Sequence, residues 1–370
     1  EARDWHDDAV TLRRPVLLAA VLSVAVLGLS SCTDAGDAQA GASPVSSPEA
    51  AVTASDPAAR ALVERIAEAS VGDYRLRGLI VRATRDGAVV AELARGESLP
   101  GVPATPDMTF RNGAMAFTYL AQTYLRLADE GVLGLDDTVG RWLPDLPLAD
   151  QVTIRQLLSM TSGYPDYVVQ PALQTGAMSD PFREWTDDEL VRIGLADGQW
   201  FAPGTGWAYS HTNYVVLGQL LTAITGKPVD AVLQQYVMDP MGLDRTGSND
   251  DTPAMPEPVM HVYSSEQRGF LDLPATTPFS VESTFWNPSW TTAKGAVQTT
   301  DVRDMTRSME IIGSGSQLSP EGYAALTKGN VGLGKADPSG RCVTCRQMTE
   351  AADYGLGVTL NGDWVTQTKN

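Results

Sequence analysis

The sequence predicts an α/β domain in which a short β-hairpin precedes a long series of helices. Three stretches carry that prediction. In "RGLIVRATRDGAVVAELARG", Leu79-Ile80-Val81 is expected to pair with Val89-Val90-Ala91 across Asp86-Gly87, a strong tight-turn signal. "FRNGAMAFTYLAQTYLRLADEG" repeats its apolar residues at helical spacing. Thr153 with Gln156, and Thr186 with Glu189, form capping boxes in front of apolar runs.

Taken in order, the chain opens with a targeting pattern. Arg13-Arg14 precede an apolar run from Val16 to Leu29, about right for a signal sequence and too short to span a bilayer. The run ends in Leu29-Ser30-Ser31-Cys32, which looks like a bacterial lipobox with Cys32 as the lipidated residue. A secretory signal that merely contains a cysteine is the alternative. Residues 33–56 are small, polar and Pro-containing, and lack the apolar surface that offsets ordering entropy. They read as a flexible linker between a membrane anchor and a folded domain over 57–370. The expected location is the cell membrane, lipid-anchored on the extracytoplasmic face.

Residues 57–72 suit a helix with Leu62, Val63, Ile66 and Ala69 at helical spacing. After the hairpin, the next helix carries Phe117, Leu120, Ala121, Tyr124 and Ala128 on one stripe and stops at Gly131. Residues 212–225 form an apolar helix ended by Gly226. No internal repeat is present. At 370 residues, 43% of them hydrophobic, the chain has ample material for a core. A net charge of −18 excludes nucleic acid as a natural partner, because phosphate binding wants basic patches.

Three cysteines are present. With Cys32 assigned to lipid, Cys342 and Cys345 remain as an even pair in "RCVTCRQ", most simply a tight disulfide in an exported protein. A redox-active dithiol and a zinc site are the alternatives; the first lacks a strand-then-helix context and the second lacks further ligands. No cofactor and no metal are expected.

Several blocks in a fixed order resemble the serine β-lactamase and DD-peptidase superfamily, in its class C and esterase-like branch. These are "FRNGAMAFTYLAQTYLRLADEGVLGLDDTVGRWLPDLP", "VTIRQLLSMTSGY", "FAPGTGWAYSHTNYVVLGQLLTAITGKPV", "MDPMGLDRTG" and "AKGAVQTTDVRDM", spanning roughly residues 78–360. The resemblance implies a β-lactamase/transpeptidase-like α/β fold, with an antiparallel sheet flanked by helices and a mostly helical subdomain. It also implies acyl transfer: a serine oxygen attacks a carbonyl, and a lysine one helical turn on shares its face and activates it. A tyrosine and an asparagine from a second motif assist, a third motif on a sheet edge lines the opposite wall, and backbone N–H groups hold the oxyanion.

The motif residues depart from that pattern. The family's serine and lysine positions hold Ala114 and Phe117. None of the lysines (Lys227, Lys294, Lys328, Lys335, Lys369) has a serine three residues before it, and no Gly-x-Ser-x-Gly elbow exists. The second motif keeps Tyr209, but His211 stands where the family has asparagine. His211 could act as a base or ligand, or could simply bond nearby backbone; no carboxylate partner for it is evident, and His261 reads as structural. "YGLGV" resembles the strand before the third motif, which puts Gln367-Thr368-Lys369 at that motif, without its glycine. The family's following strands and closing helix have no counterpart, so either the sheet lacks its far strands or a partner chain completes it. The expectation is a lipid-anchored pseudoenzyme that binds peptidoglycan-like or acyl ligands through its cleft. An active serine-type hydrolase with another nucleophile is the alternative.

Overall fold

The hairpin is where the local rules act most directly. In the computed structural model, which describes residues 56–248 and 252–367, Asp86 (φ 53°) and Gly87 (φ 76°) both take the left-handed conformation that a two-residue turn needs. They join β1 (Gly78–Arg85) to β2 (Ala88–Leu99), and β3 (Val102–Pro103) extends the antiparallel order to β1-β2-β3. Because Arg85 faces Ala88, Leu79-Ile80-Val81 meet Arg95-Ala94-Leu93, not Val89-Val90-Ala91 as expected. A register shift beside Ala83 adds one further residue of offset. The signal run, Cys32, the linker up to residue 55, and Thr368 and Lys369 lie outside the described residues.

Asp56 caps α1 (Pro57–Asp73): its carboxylate accepts from the N–H groups of Ala58 and Ala59, and Pro57 occupies the first turn, where no N–H is needed. The helix lies against the hairpin, where Ala67 packs with Ala91 and Leu93, and Val63, Leu79 and Val81 join them. The apolar stripe expected from spacing is rotated away from the core: Leu62 and Ile66 are 49% and 53% exposed. A small residue at 67 brings the helix close to the sheet. On the same sheet, Arg303 bridges Glu92 and Asp107 (2.8 Å to Asp107) and ties a later helix to β2. Among the described residues, β1 has a strand partner on one side only.

The main core surrounds α2. Strand β4 (Phe110–Arg111) leads into α2 (Met115–Asp129), followed by α3 (Ile154–Leu158), α4 (Pro171–Ser179), α5 (Asp187–Leu195), α6 (His211–Thr225) and α7 (Val229–Leu233). Next come a short α8 (Asp239–Met241), β5 (Gly247–Ser248), β6 (Tyr263–Ser264), α9 (Gln267–Phe270), β7 (Val281–Glu282) and β8 (Gln298–Thr300). The described chain ends with α10 (Val302–Ser314), α11 (Pro320–Leu326), β9 (Asp353–Tyr354), β10 (Thr359–Asn361) and β11 (Trp364–Thr366). Every ladder between these strands is antiparallel, in sheets β4-β8-β5, β6-β7 and β11-β10-β9, each separate from β1-β2-β3. Both capping boxes form, at Thr153/Gln156 and Thr186/Glu189.

A single apolar stripe does not describe α2. Every residue from Met115 to Leu125 is buried, polar Thr118, Gln122 and Thr123 among them. Most of the polar groups are accommodated by bonding: Tyr124 Oη donates to the Leu217 carbonyl (2.6 Å), Thr118 Oγ1 donates to the Gly357 carbonyl (2.6 Å), and Tyr119 Oη meets Ser308 Oγ (3.0 Å), whereas the Gln122 amide is buried without a hydrogen-bond partner among the described residues. The helix is therefore enclosed by α6, α10 and the turn after β9. Truncating a side chain such as Leu120, fully buried here, costs on the order of 2–5 kcal/mol at such a position.

Candidate active site

The start of α2 is held by a strand on one side and a clamp on the other. β4 pairs with β8, Phe110 facing Thr300 and Arg111 facing Thr299. The next residue, Asn112, exchanges bonds with Gln298: its Nδ2 donates to Gln298 Oε1 (2.9 Å), its N–H donates to the Gln298 carbonyl (2.9 Å), and its Oδ1 accepts from the Gln298 N–H (3.1 Å). Both side chains are buried, so this pair fixes where the helix begins. Gly113 turns the chain at φ 53°, and Ala114 then stands at the helix start, half-buried and with no side chain able to cap.

One turn on, Phe117 points into an aromatic cluster. Its ring stacks on Tyr214 with centroids 3.9 Å apart and planes 10° apart. Tyr209 lies 5.9 Å away and His211 5.5 Å away, the latter edge-on. Tyr209 and His211 are themselves in edge contact at 5.3 Å, and Tyr354 meets Tyr209 at 6.3 Å. The structure thus brings the four positions singled out in the sequence, 114, 117, 209 and 211, to one end of α2.

The second motif reaches this cluster because the turn after α3 holds it. Ser162 Oγ donates to Asn213 Oδ1 (2.6 Å), Thr212 Oγ1 donates to the Pro165 carbonyl (2.6 Å), and the Ala208 N–H donates to the Met160 carbonyl (3.2 Å). From the other side, Thr344 Oγ1 donates to the Tyr209 carbonyl (2.9 Å), and Cys345 forms an isolated antiparallel bridge with Ala208. Cys342 and Cys345 are joined as a disulfide, so a short covalent loop braces the segment that carries Tyr209.

His211 does have a carboxylate partner, which corrects the expectation from the sequence. Its Nδ1 lies 3.1 Å from both oxygens of Asp166, and its backbone N–H donates to Asp166 Oδ1 (3.1 Å). Against a carboxylate, which accepts, Nδ1 is the donor and Nε2 the basic nitrogen. Asp166 also accepts from the Val168 N–H (3.1 Å), and both Asp166 and His211 are buried. The two residues are far apart in the chain, so no local spacing links them; an Asp flanked by Tyr164, Pro165 and Tyr167 was the available signal. His261, by contrast, sits against Glu282 (3.2 Å) and Phe285, away from this cluster.

The remaining phenols are not bases. Burial drives the Tyr214 hydroxyl far above its ordinary range, and burial with help from Asp166 does the same to Tyr167. Burial also raises Tyr354. These groups stay protonated through the physiological range and serve as packing elements, with the Tyr214 hydroxyl also donating to the Leu158 carbonyl. Gln367, the first residue of the expected third motif, does reach α2: its Nε2 donates to Thr118 Oγ1 (3.1 Å) and to the Gly357 carbonyl (2.8 Å). Among the described residues no His, Cys, Asp or Glu cluster is arranged to hold a metal ion.

Comparison with known proteins places this geometry. The family model described as Beta-lactamase matches residues 63–364. Esterase EstB of Burkholderia gladioli is 28% identical over 306 residues, 74% of this chain and 75% of that protein. Penicillin-binding protein 4* of Bacillus subtilis (strain 168) is 31% identical over 144 residues, which cover 39% of this chain but only 31% of that protein. Among solved structures, a D-stereospecific amidohydrolase from Streptomyces sp. superposes with a TM-score of 0.67 at 28% identity, over 82% of this chain and 83% of that one. The chain belongs to the Beta-lactamase family, within the serine β-lactamase and transpeptidase-like superfamily, and shares its α/β fold.

Proposed function

We propose that this protein is an exported, lipid-anchored family member that binds a peptidoglycan-like or acyl ligand in its cleft without forming an acyl-enzyme. The observation that carries the reading is the Phe117–Tyr214 stack at the position of the family's lysine. Acyl transfer needs an oxygen nucleophile and a base that takes its proton. Ala114 offers a methyl group, and Phe117 offers a ring packed against another ring. Loss of a catalytic nucleophile in other hydrolases leaves only the residual rate supplied by binding and the oxyanion site. The surviving architecture supports retention of a shaped cleft, since the start of α2, the second motif and Gln367 are all bonded into place.

A second reading has its own observation. The His211–Asp166 pair beside Tyr209 is a base held by a carboxylate, as an active hydrolase would need. One experiment separates the two. The protein is incubated with a fluorescent penicillin and with p-nitrophenyl esters, then weighed intact by mass spectrometry. The binding reading expects no adduct and no ester turnover above buffer; an acyl adduct on any residue, or sustained turnover, establishes the hydrolase. The anchor is tested separately: fatty-acid labelling of cells expressing the protein should mark it, and Cys32→Ala should abolish the label.

A further inference from the structure

A pocket of about 520 Å³ opens between α4 and the stretch from Glu266 to Trp290. Leu173 and Met178 of α4 form one wall, and Phe270, Trp286 and Trp290 form the other. The polar residues that line it, Gln174, Thr175 and Glu266, are exposed at the rim, and no basic side chain contributes. Val168, also on the lining, directly follows Tyr167, whose ring lies 5.9 Å from that of His211. One backbone step therefore joins this pocket to the aromatic cluster at the start of α2.

Exposed apolar side chains stand beside that polar rim. Phe182, Phe270 and Leu271 are 64%, 48% and 49% exposed, and the first of them follows Pro181, another lining residue. Single exposed apolar residues are ordinary, but a group of them beside a cavity with apolar walls marks a place where apolar surface is covered in use. Away from those polar residues, the walls of Leu173, Ala177, Met178 and Phe270 offer a hydrogen-bonding group little in return for its lost water, so hydrocarbon suits them best. An apolar cavity of about 150 Å³ holds one benzene ring. This pocket is more than three times that size, which suits a longer chain than a single aromatic side chain. The carboxylate of Glu266 at the mouth disfavours an anionic head group there.

We propose that this pocket takes the acyl chain of an amphiphilic ligand with a neutral head, the head remaining at Gln174 and Thr175. This rests on the binding reading above and names its ligand class. The test titrates the full chain with acetyl-, hexanoyl-, octanoyl- and decanoylglycinamide, followed by calorimetry and by tryptophan emission. Affinity is expected to rise about fourfold per added methylene and to level off once the pocket is full. Thr175→Trp, at an exposed position on the rim, is expected to flatten the series without changing the melting temperature. Trp286→Ala is expected to remove the emission change. A series in which every member binds equally overturns the acyl pocket and leaves the binding reading standing; a series in which none binds overturns the acyl pocket and the acyl form of the binding reading. A chain-length gain that survives both substitutions overturns the placement in this pocket.

Discussion

The ring of Phe117 lies flat on that of Tyr214, and Tyr214 Oη in turn donates to the Leu158 carbonyl (2.8 Å), so the residue at the position where the sequence leads us to expect the family's lysine is built into the core. The stack explains why restoring the lysine is not a simple reversal. Phe117 is 2% exposed. Phe117→Lys removes a buried ring and asks an ammonium to lie among Tyr209, His211 and Tyr214. The expected cost is about 3 kcal/mol or more, read from urea unfolding. Ala114→Ser is different. Ala114 takes a helical conformation, not the extended one of a capping residue, so the new hydroxyl gains no cap bond and stability changes by no more than ~0.5 kcal/mol. The double substitution is expected not to reach full ester turnover. A robust rate from it would show that the cleft is otherwise complete.

Asp166 is expected to matter more for folding than any other carboxylate at the site. It accepts from the backbone N–H of His211 and of Val168 and faces the His211 ring. Asp166→Ala leaves those buried donors without an acceptor, at an expected cost of about 3 kcal/mol or more. Asp166→Asn keeps one acceptor oxygen and should cost clearly less. Unfolding curves of the two variants decide this; equal losses would mean that packing, not hydrogen bonding, fixes the residue.

What the sequence made legible follows from how local each signal is. The two capping boxes, the Asp86-Gly87 turn and the helix ended by Gly226 each depend on neighbours within a few residues, and each is found. Ordered blocks along the chain were enough for the family. The rotated face of α1 was not legible, because Leu62 and Ile66 satisfy helical spacing as well as Val63 and Ala67 do, and only the sheet beneath selects between them. The complete burial of α2 was hidden for the same reason: Thr118 and Thr123 look like a solvent face until Gly357 and the helix backbone provide acceptors. At the site, the expected motif positions 114 and 117 could be picked out along one stretch of chain, whereas the His211–Asp166 contact joins distant segments and has no sequence period.

The α5 capping box has a sign-definite pH dependence. Glu189 accepts from the Thr186 N–H (3.0 Å) and from Arg183 (2.9 Å), and these bonds, that to the Thr186 backbone foremost, hold its carboxyl below the ordinary 4.5. A carboxyl with a lowered folded value contributes stability above its unfolded value and loses it as pH falls through the folded one. Glu189→Gln keeps an acceptor oxygen but no charge. Wild type should therefore melt above the variant at neutral pH, and the gap should close on acidification below 4.5. The group is partly exposed, so screening keeps the gap small. A gap that is constant with pH would show that the cap acts by geometry alone.

Gly357 is expected to be the least replaceable glycine at the candidate site. It lies in the turn between β9 and β10, has φ 72°, and presses against α2. A Cβ there would stand 2.6 Å from Ala121 Cβ and 2.8 Å from the Phe117 carbonyl oxygen. Its own carbonyl accepts from Thr118 and Gln367, and its N–H donates to the Leu158 carbonyl (3.1 Å), so it cannot back away without breaking the bonds that seat Gln367 on the helix. Gly131 is the control, because it has the same φ of 72° and a methyl added there would meet nothing within 4 Å. Gly131→Ala should show the backbone penalty alone, about 1–2 kcal/mol. Gly357→Ala adds overpacking against a main-chain oxygen and should exceed about 3 kcal/mol in urea unfolding. If the two glycines cost the same, the turn at Gly357 is free to shift, and the tight seating of Gln367, at the expected third motif, on α2 is not what keeps the cleft in shape.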